Sequence, residues 1–167
     1  IDSTEKLAEV MRYGVSWEVI DNNIKKYLKT DFFVKFCCLI SIMNVNKLDN
    51  VIKYAREKNV PVVPYFLNWP YHLRSNILPF DMRKNWKIKL PQKLKKIKFM
   101  GVEKDHNDVE EFNNIILNKK QSDNKLLEFV KTMNLLDNVQ NNQFSKTNPE
   151  IWNIAHTCNR VKEYYDI

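Results

Sequence analysis

Residues 31–45 read "DFFVKFCCLISIMNV", a β-branched and aromatic run that is nearly continuously apolar and bounded by polar residues. That is the pattern of a strand covered on both faces. Next comes "NKLDNVIKYAREKN" (46–59), an amphipathic helix pattern with Asn46 as its cap and Leu48, Val51, Ile52 and Ala55 inward. A second short apolar run, "VPVVPYFL" (60–67), closes the unit. Strand, helix, strand in this order is a βαβ unit with parallel pairing and a right-handed crossover. Pro61 and Pro64 cannot donate to a ladder, so the second strand is expected where one edge is open.

Working outward, a strand-like Ile1-Asp2 feeds a helix over "TEKLAEVMRY", capped by Ser3, with Glu5 in its first turn and Gly14 at its left-handed end. Ser16 caps a second helix in "SWEVIDNNIKKYLK", where Trp17, Ile20 and Ile24 keep the helical period. After Leu67 the regularity breaks into an aromatic and basic loop with short helices between Pro70, Pro79 and Pro91. Three amphipathic helices follow, in "NDVEEFNNIILNKK", "DNKLLEFVKTMNLLDN" and "NPEIWNIAHTCNRVKEYY", the last with Pro149 at its first helical position. The expected organisation is an α/β unit over 1–75, a basic excursion over 76–103 and a helical extension over 104–167.

With 44% hydrophobic and 28% charged residues, the chain has the balance of one soluble globular domain. It has no apolar run of spanning length and no basic-then-apolar leader, so no membrane partner and a cytoplasmic location are expected. Three cysteines are an odd count, and the adjacent Cys37 and Cys38 would point to opposite faces of a strand, which favours reduced, buried thiols. The net charge of +7 is local: Arg83, Lys84, Lys87, Lys89, Lys93, Lys95, Lys96 and Lys98 lie in a stretch without acids, and the remainder carries 19 basic against 20 acidic residues. Residues 83–98 therefore read either as the solvated face of an amphipathic surface helix or edge strand, or as a nucleic-acid surface with Trp86 as a stacking platform, or as the contact for another acidic partner.

In a parallel α/β layer the loops leaving the C-terminal strand ends gather on one face, and chemistry sits there. Three such ends are readable: Asp2-Ser3, Ser41 to Asn44, and Tyr65 to His72. Arg12, in the helix after Asp2, offers a fork for a carboxylate or phosphate. For Ser3 and Asn44 the competing reading is a cap or a turn. No two of His72, His106 and His156 stand at ligand spacing, so no histidine metal site is expected.

The stretches "IDSTEKLAEVMRYGVSWEVIDNNIKKYL" and "FVKFCCLISIMNVNKLDNVIKYAREKNVPVVPYFLNWPYHL" resemble the second half of a radical S-adenosylmethionine (radical SAM) enzyme of the type with a short "twitch" C-terminal extension. The matching features are an Ile-Asp strand end before a helix, "RYGVSW" followed by "NNI", an Asn near the next strand end, and "WPYHL" followed by "LP". The resemblance implies the C-terminal part of an incomplete (β/α)6 partial TIM barrel, in which a [4Fe-4S] cluster cleaves S-adenosylmethionine to a 5′-deoxyadenosyl radical. It implies cofactor-binding roles for Asp2 and Ser3 by the ribose, Arg12 on the carboxylate, Asn44 at the next strand end, and Tyr65, Phe66 and Leu67 along the adenine. Trp69 and His72 fall on the substrate side, with the substrate a small molecule, peptide or nucleotide. The CxxxCxxC that ligates the family's cluster is absent from these 167 residues. The expectation is that this chain supplies no cluster ligand and that its partner is an N-terminal half of the barrel.

Overall fold

The computed structural model describes residues 1–90, 94–99, 102–118, 125–140 and 144–157. Strand β1 (Phe36–Ile40) and strand β2 (Val62–Phe66) pair in parallel, Phe36 opposite Val62 and Ile40 opposite Phe66. Helix α3 (Leu48–Glu57) connects them. The βαβ unit is therefore present, and among the described residues β2 has β1 as its sole neighbour, the edge position that Pro61 and Pro64 require.

The expectation that the first strand is covered on both faces is corrected. Phe36, Cys38 and Ile40 are buried while Cys37 and Leu39 between them are exposed. Core side chains pack on one face of the sheet; the other face carries Cys37 and Leu39 beside Val63 and the exposed Tyr65. The uniform hydrophobicity of "FCCLI" conceals this alternation, because a strand residue's exposure is set by what packs against its face. Buried thiols are corrected with it: Cys38 is buried and Cys37 is exposed.

Helices α1 (Glu5–Met11) and α2 (Trp17–Tyr27) precede the sheet. α1 starts one residue later than expected, with Thr4 rather than Ser3 at the cap, because Ser3 is buried and Glu5 turns to a positive φ of 53°. Gly14, at φ 82°, makes the left-handed exit read from the sequence. Ser16 occupies the cap of α2 but makes no side-chain cap bond; the Trp17 N–H donates to Glu9 Oε1 at 3.0 Å instead. Ile1–Ser3 does not form a ladder strand. It lies along the free edge of β1, the Ile1 amino group donating to Cys37 O at 2.9 Å.

The excursion contains 3-10 turns at Tyr71–Leu73, Ser75–Ile77 and Lys84–Trp86, and the short helix α4 (Phe80–Arg83). An element absent from the sequence reading follows: β3 (Leu94–Phe99) and β4 (Val102–Asn107) form an antiparallel hairpin, Leu94 opposite Asn107. This hairpin straddles the 103/104 boundary between excursion and extension. Helices α5 (Asp108–Ile116), α6 (Leu126–Gln140), α7 (Phe144–Thr147) and α8 (Pro149–Thr157) complete the described chain.

A continuous core joins Leu48, Val51 and Ile52 of α3 and Val62 of β2 to Phe112, Phe129, Phe144 and Ile151 of the helical extension. Each of the three phenylalanines is fully buried, which contributes about 1.5–3 kcal/mol apiece. The extension is thus part of the same packed body as the βαβ unit.

Candidate functional site

Both parallel strands end on the same side, so the Ser41–Lys47 and Leu67–Arg74 loops are neighbours, tied by Ile42 N–H to Leu73 O at 2.9 Å. Asp2 reaches this side from the edge of β1. Its Oδ1 accepts the Leu39 N–H at 2.9 Å, and its Oδ2 accepts Arg12 Nε at 3.1 Å and Nη2 at 2.6 Å. Asp2 is thus built into the edge of the sheet, and Arg12, 60% exposed, is fastened to it from the first turn beyond α1.

Asn44 is buried and fully occupied. Its Nδ2 donates to Asp2 O at 2.7 Å and Leu39 O at 2.9 Å, while its Oδ1 accepts Ser41 N–H at 2.8 Å. One side chain therefore closes the turn after β1 and holds the Asp2 segment against it, which is the turn reading of Asn44 with a long-range bond added. A cavity of about 360 Å³ opens beside this group, with Asp2, Ser3 and Arg12 at its polar end and Ile1, Met11 and Ile20 among its apolar walls.

Tyr65, Phe66, Leu67, Trp69 and His72 lie at the exit of β2. Tyr65 is 47% and Trp69 74% exposed, whereas Phe66 and Leu67 are half-buried. The turn that presents them is braced by Arg74, whose Nε donates to Asn68 O at 2.9 Å and whose guanidinium lies 4.2 Å from the Tyr71 ring centre. His72 Nδ1 stands 4.0 Å from Glu128 Oε2 of α6. The structure thus brings Asp2, Arg12 and Asn44 into one hydrogen-bonded group, of which Asp2 and Arg12 line a cavity with Ser3, and sets Tyr65, Trp69 and His72 on the adjoining loop. Among the described residues no hydrogen bond joins those three side chains to the Asp2 group.

A residue that the sequence reading took as a cap helps hold the loop from outside. Asn46 does not cap α3; Lys47 does, because the Asn46 amide donates to Asn148 Oδ1 at 2.9 Å and Glu150 Oε2 at 2.7 Å. Asn148 in turn donates to Met43 O and to Asn46 Oδ1, each at 2.9 Å. No local signal marks this pair, since 102 residues separate its members.

In the basic stretch, Arg83 is fully buried, donating to Leu78 O at 3.0 Å and Ile116 O at 2.6 Å. Trp86 packs partly into the core and donates to Glu150 Oε1 at 2.6 Å, and Lys84 pairs with Asp81. These three face inward or are engaged, while Lys87 and Lys89 are exposed; the side chains of Lys93, Lys95, Lys96 and Lys98 lie outside the described residues.

Among the described residues no group of three or more His, Cys, Asp and Glu can hold a metal ion. Cys37 and Cys38 point to opposite faces of β1, and burial, reinforced by the nearby Asp2, pushes the Cys38 thiol up to about 12. That pair does not fit cluster ligation, which needs several thiolates converging on one point. Cys158 lies outside the described residues. No helix among the described residues is long and apolar enough to cross a membrane. No protein-family model, curated protein or solved structure matches this chain.

Proposed function

We propose that this chain forms the S-adenosylmethionine and substrate side of a radical SAM active site, built on part of an incomplete (β/α)6 barrel, with the [4Fe-4S] cluster ligated by residues outside this sequence. The observation that carries the reading is the sheet itself. One face is packed and the other carries Cys37, Leu39, Val63 and Tyr65, with Leu39 36% and Tyr65 47% exposed. A barrel strand has such an inner face, and the loops bearing Asn44 and Trp69 leave from one end of it, with Asp2 beside that end on the edge of β1, where ligands of parallel α/β folds bind.

When bound, the cluster would supply the electron that cleaves the cofactor, and nothing in Cys37 or Cys38 fits its ligation. The residues of this chain bind and orient. Arg12, held on Asp2 through Nε and Nη2 at the polar end of the cavity, offers its remaining Nη1 to a carboxylate, and the exposed sheet face of Leu39 and Tyr65 suits a purine. No described side chain stands out as a proton or hydrogen-atom donor to substrate.

The complete gene product, reconstituted anaerobically with iron and sulfide, should release 5′-deoxyadenosine from S-adenosylmethionine under dithionite. Arg12→Ala should lower that release by about tenfold or more, the loss of one charge-assisted contact. Residues 1–167 alone should take up no stoichiometric cluster. A properly ligated cluster on residues 1–167, or a complete gene product that neither assembles a cluster nor cleaves the cofactor, overturns the reading.

A further inference from the structure

We propose that Asn148, at the start of α8, is a positioning residue for the Asp2–Arg12 group. The extension reaches the strand ends through it. Asn148 is fully buried, and its amide meets Asn46 in a reciprocal pair while also donating to Met43 O. Met43 N–H donates to Ser41 Oγ at 3.2 Å, Ser41 Oγ donates to Asn44 Oδ1 at 3.3 Å, and Asn44 Nδ2 donates to Asp2 O at 2.7 Å. Asp2 then takes Leu39 N–H on one carboxylate oxygen and Arg12 on the other.

Burial gives this series its mechanical meaning. Ser41, Ile42, Met43, Asn44 and Val45 are all buried, so a bond lost from the loop is not replaced by water and the loop must shift to recover partners. The far end is anchored as well: Glu150, in the first turn of α8, accepts from both Asn46 and Trp86. A small displacement of α8 against the loop therefore moves the turn that fixes Asp2, and with it the orientation of the Arg12 fork. The assignment of a ligand to Arg12 rests on the function proposed above; the dependence of Asp2 on Asn148 does not.

The test separates the two in the full-length protein. Amide exchange is read at Leu39, whose N–H is held by the Asp2 carboxylate, and S-adenosylmethionine affinity is read by calorimetry. Asn148→Ala should speed Leu39 exchange by about tenfold beyond what the loss of global stability explains, and weaken cofactor binding by a similar factor. Ile151→Ala removes a buried side chain from the same helix while leaving the hydrogen bonds to Asn46 and Met43 in place, and serves as the stability control. It should alter Leu39 exchange only in step with other core amides. Asn46→Ala combined with Asn148→Ala should be clearly less than additive at Leu39, as expected of one coupled unit. If Asn148→Ala and Ile151→Ala act alike on Leu39, the proposal is overturned. A wild-type protein that binds no cofactor removes the proposed function, while the exchange at Leu39 still decides the role of Asn148.

Discussion

Asn44 Nδ2 lies 2.7 Å from the main-chain oxygen of Asp2, a bond that spans 42 residues and fixes a segment outside the sheet ladder to the end of β1. The same side chain satisfies Leu39 O and Ser41 N–H, so its removal strips both of these groups of that partner and leaves Asp2 O with the weak Cys38 thiol contact alone. Asn44→Ala should cost about 3 kcal/mol, read as a lowered urea midpoint. Asn44→Asp should be worse at neutral pH, since a carboxylate cannot donate to two carbonyls. A loss below about 0.5 kcal/mol for Asn44→Ala would show the turn to be held by other contacts.

The carboxyl of Asp21 is held down at about 2, from an ordinary 3.8, chiefly by Lys25 and then by the Tyr54 hydroxyl 2.6 Å away. Its folded value lies below its unfolded value, so its contribution is fully present above about pH 4 and is lost as pH falls through about 2. The stability difference between wild type and Asp21→Asn should therefore shrink between pH 5 and pH 2, measured as urea midpoints. A difference that stays constant over that range would show that the carboxylate is not depressed in the folded chain.

Asn59 takes a φ of 54° just past α3, with its own N–H donating to Arg56 O at 3.0 Å and the next, Val60 N–H, to Ala55 O at 2.8 Å. This is a left-handed helix stop in which the tolerated residue is Gly first and Asn second. Asn59→Gly should be neutral or stabilising by about 0.5 kcal/mol, and Asn59→Ala should cost about 1 kcal/mol. Thermal melts of both variants check the order; Ala above Asn would mean that α3 ends differently.

Arg83 joins two carbonyls, Leu78 O and Ile116 O, that belong to different parts of the chain, and its Nη2 has no hydrogen-bond partner among the described residues. Lysine cannot reproduce a planar fork with fixed spacing. Arg83→Lys should cost more than about 2 kcal/mol, as both carbonyls lose good geometry and a compact ammonium stays buried. Retained stability in denaturant would place the Arg83 charge nearer solvent than its burial indicates.

Thiol chemistry should separate the two adjacent cysteines. In a Cys158→Ser background, Cys37 should react promptly with a thiol reagent at pH 8, while Cys38, buried and with a thiol raised to about 12, should react only on unfolding. Equal rates for the two in the native protein would contradict the alternating exposure of β1.

Much of the layout was legible in local pattern. The period of Leu48, Val51, Ile52 and Ala55 marks α3 because four apolar residues on one helix face must be buried, and all four are. Pro61 and Pro64 mark the edge position of β2 because proline lacks the N–H that an inner strand needs, and Gly14 marks a left-handed exit. The hairpin of β3 and β4 was hidden by alternating lysines that fit a helix face and a strand equally well.

The candidate site was legible only as positions. Asp2, Ser3, Arg12 and Asn44 were found by being polar at strand ends, yet their bonding to one another was not. Asn46 was read as a helix cap, the commonest work of an asparagine beside a helix, and it bonds Asn148 instead.

The sequence by itself determined the order of α1, α2, β1, α3 and β2 and which residues stand at the ends of β1 and β2, since these follow from backbone sterics and apolar period within a few residues. The tertiary structure alone decided which face of β1 is bare, that Arg83 is interior, and that α8 grips the loop through which Asn44 holds Asp2. Those depend on which distant groups meet, and a side chain's local spacing carries no information about a partner 102 residues away.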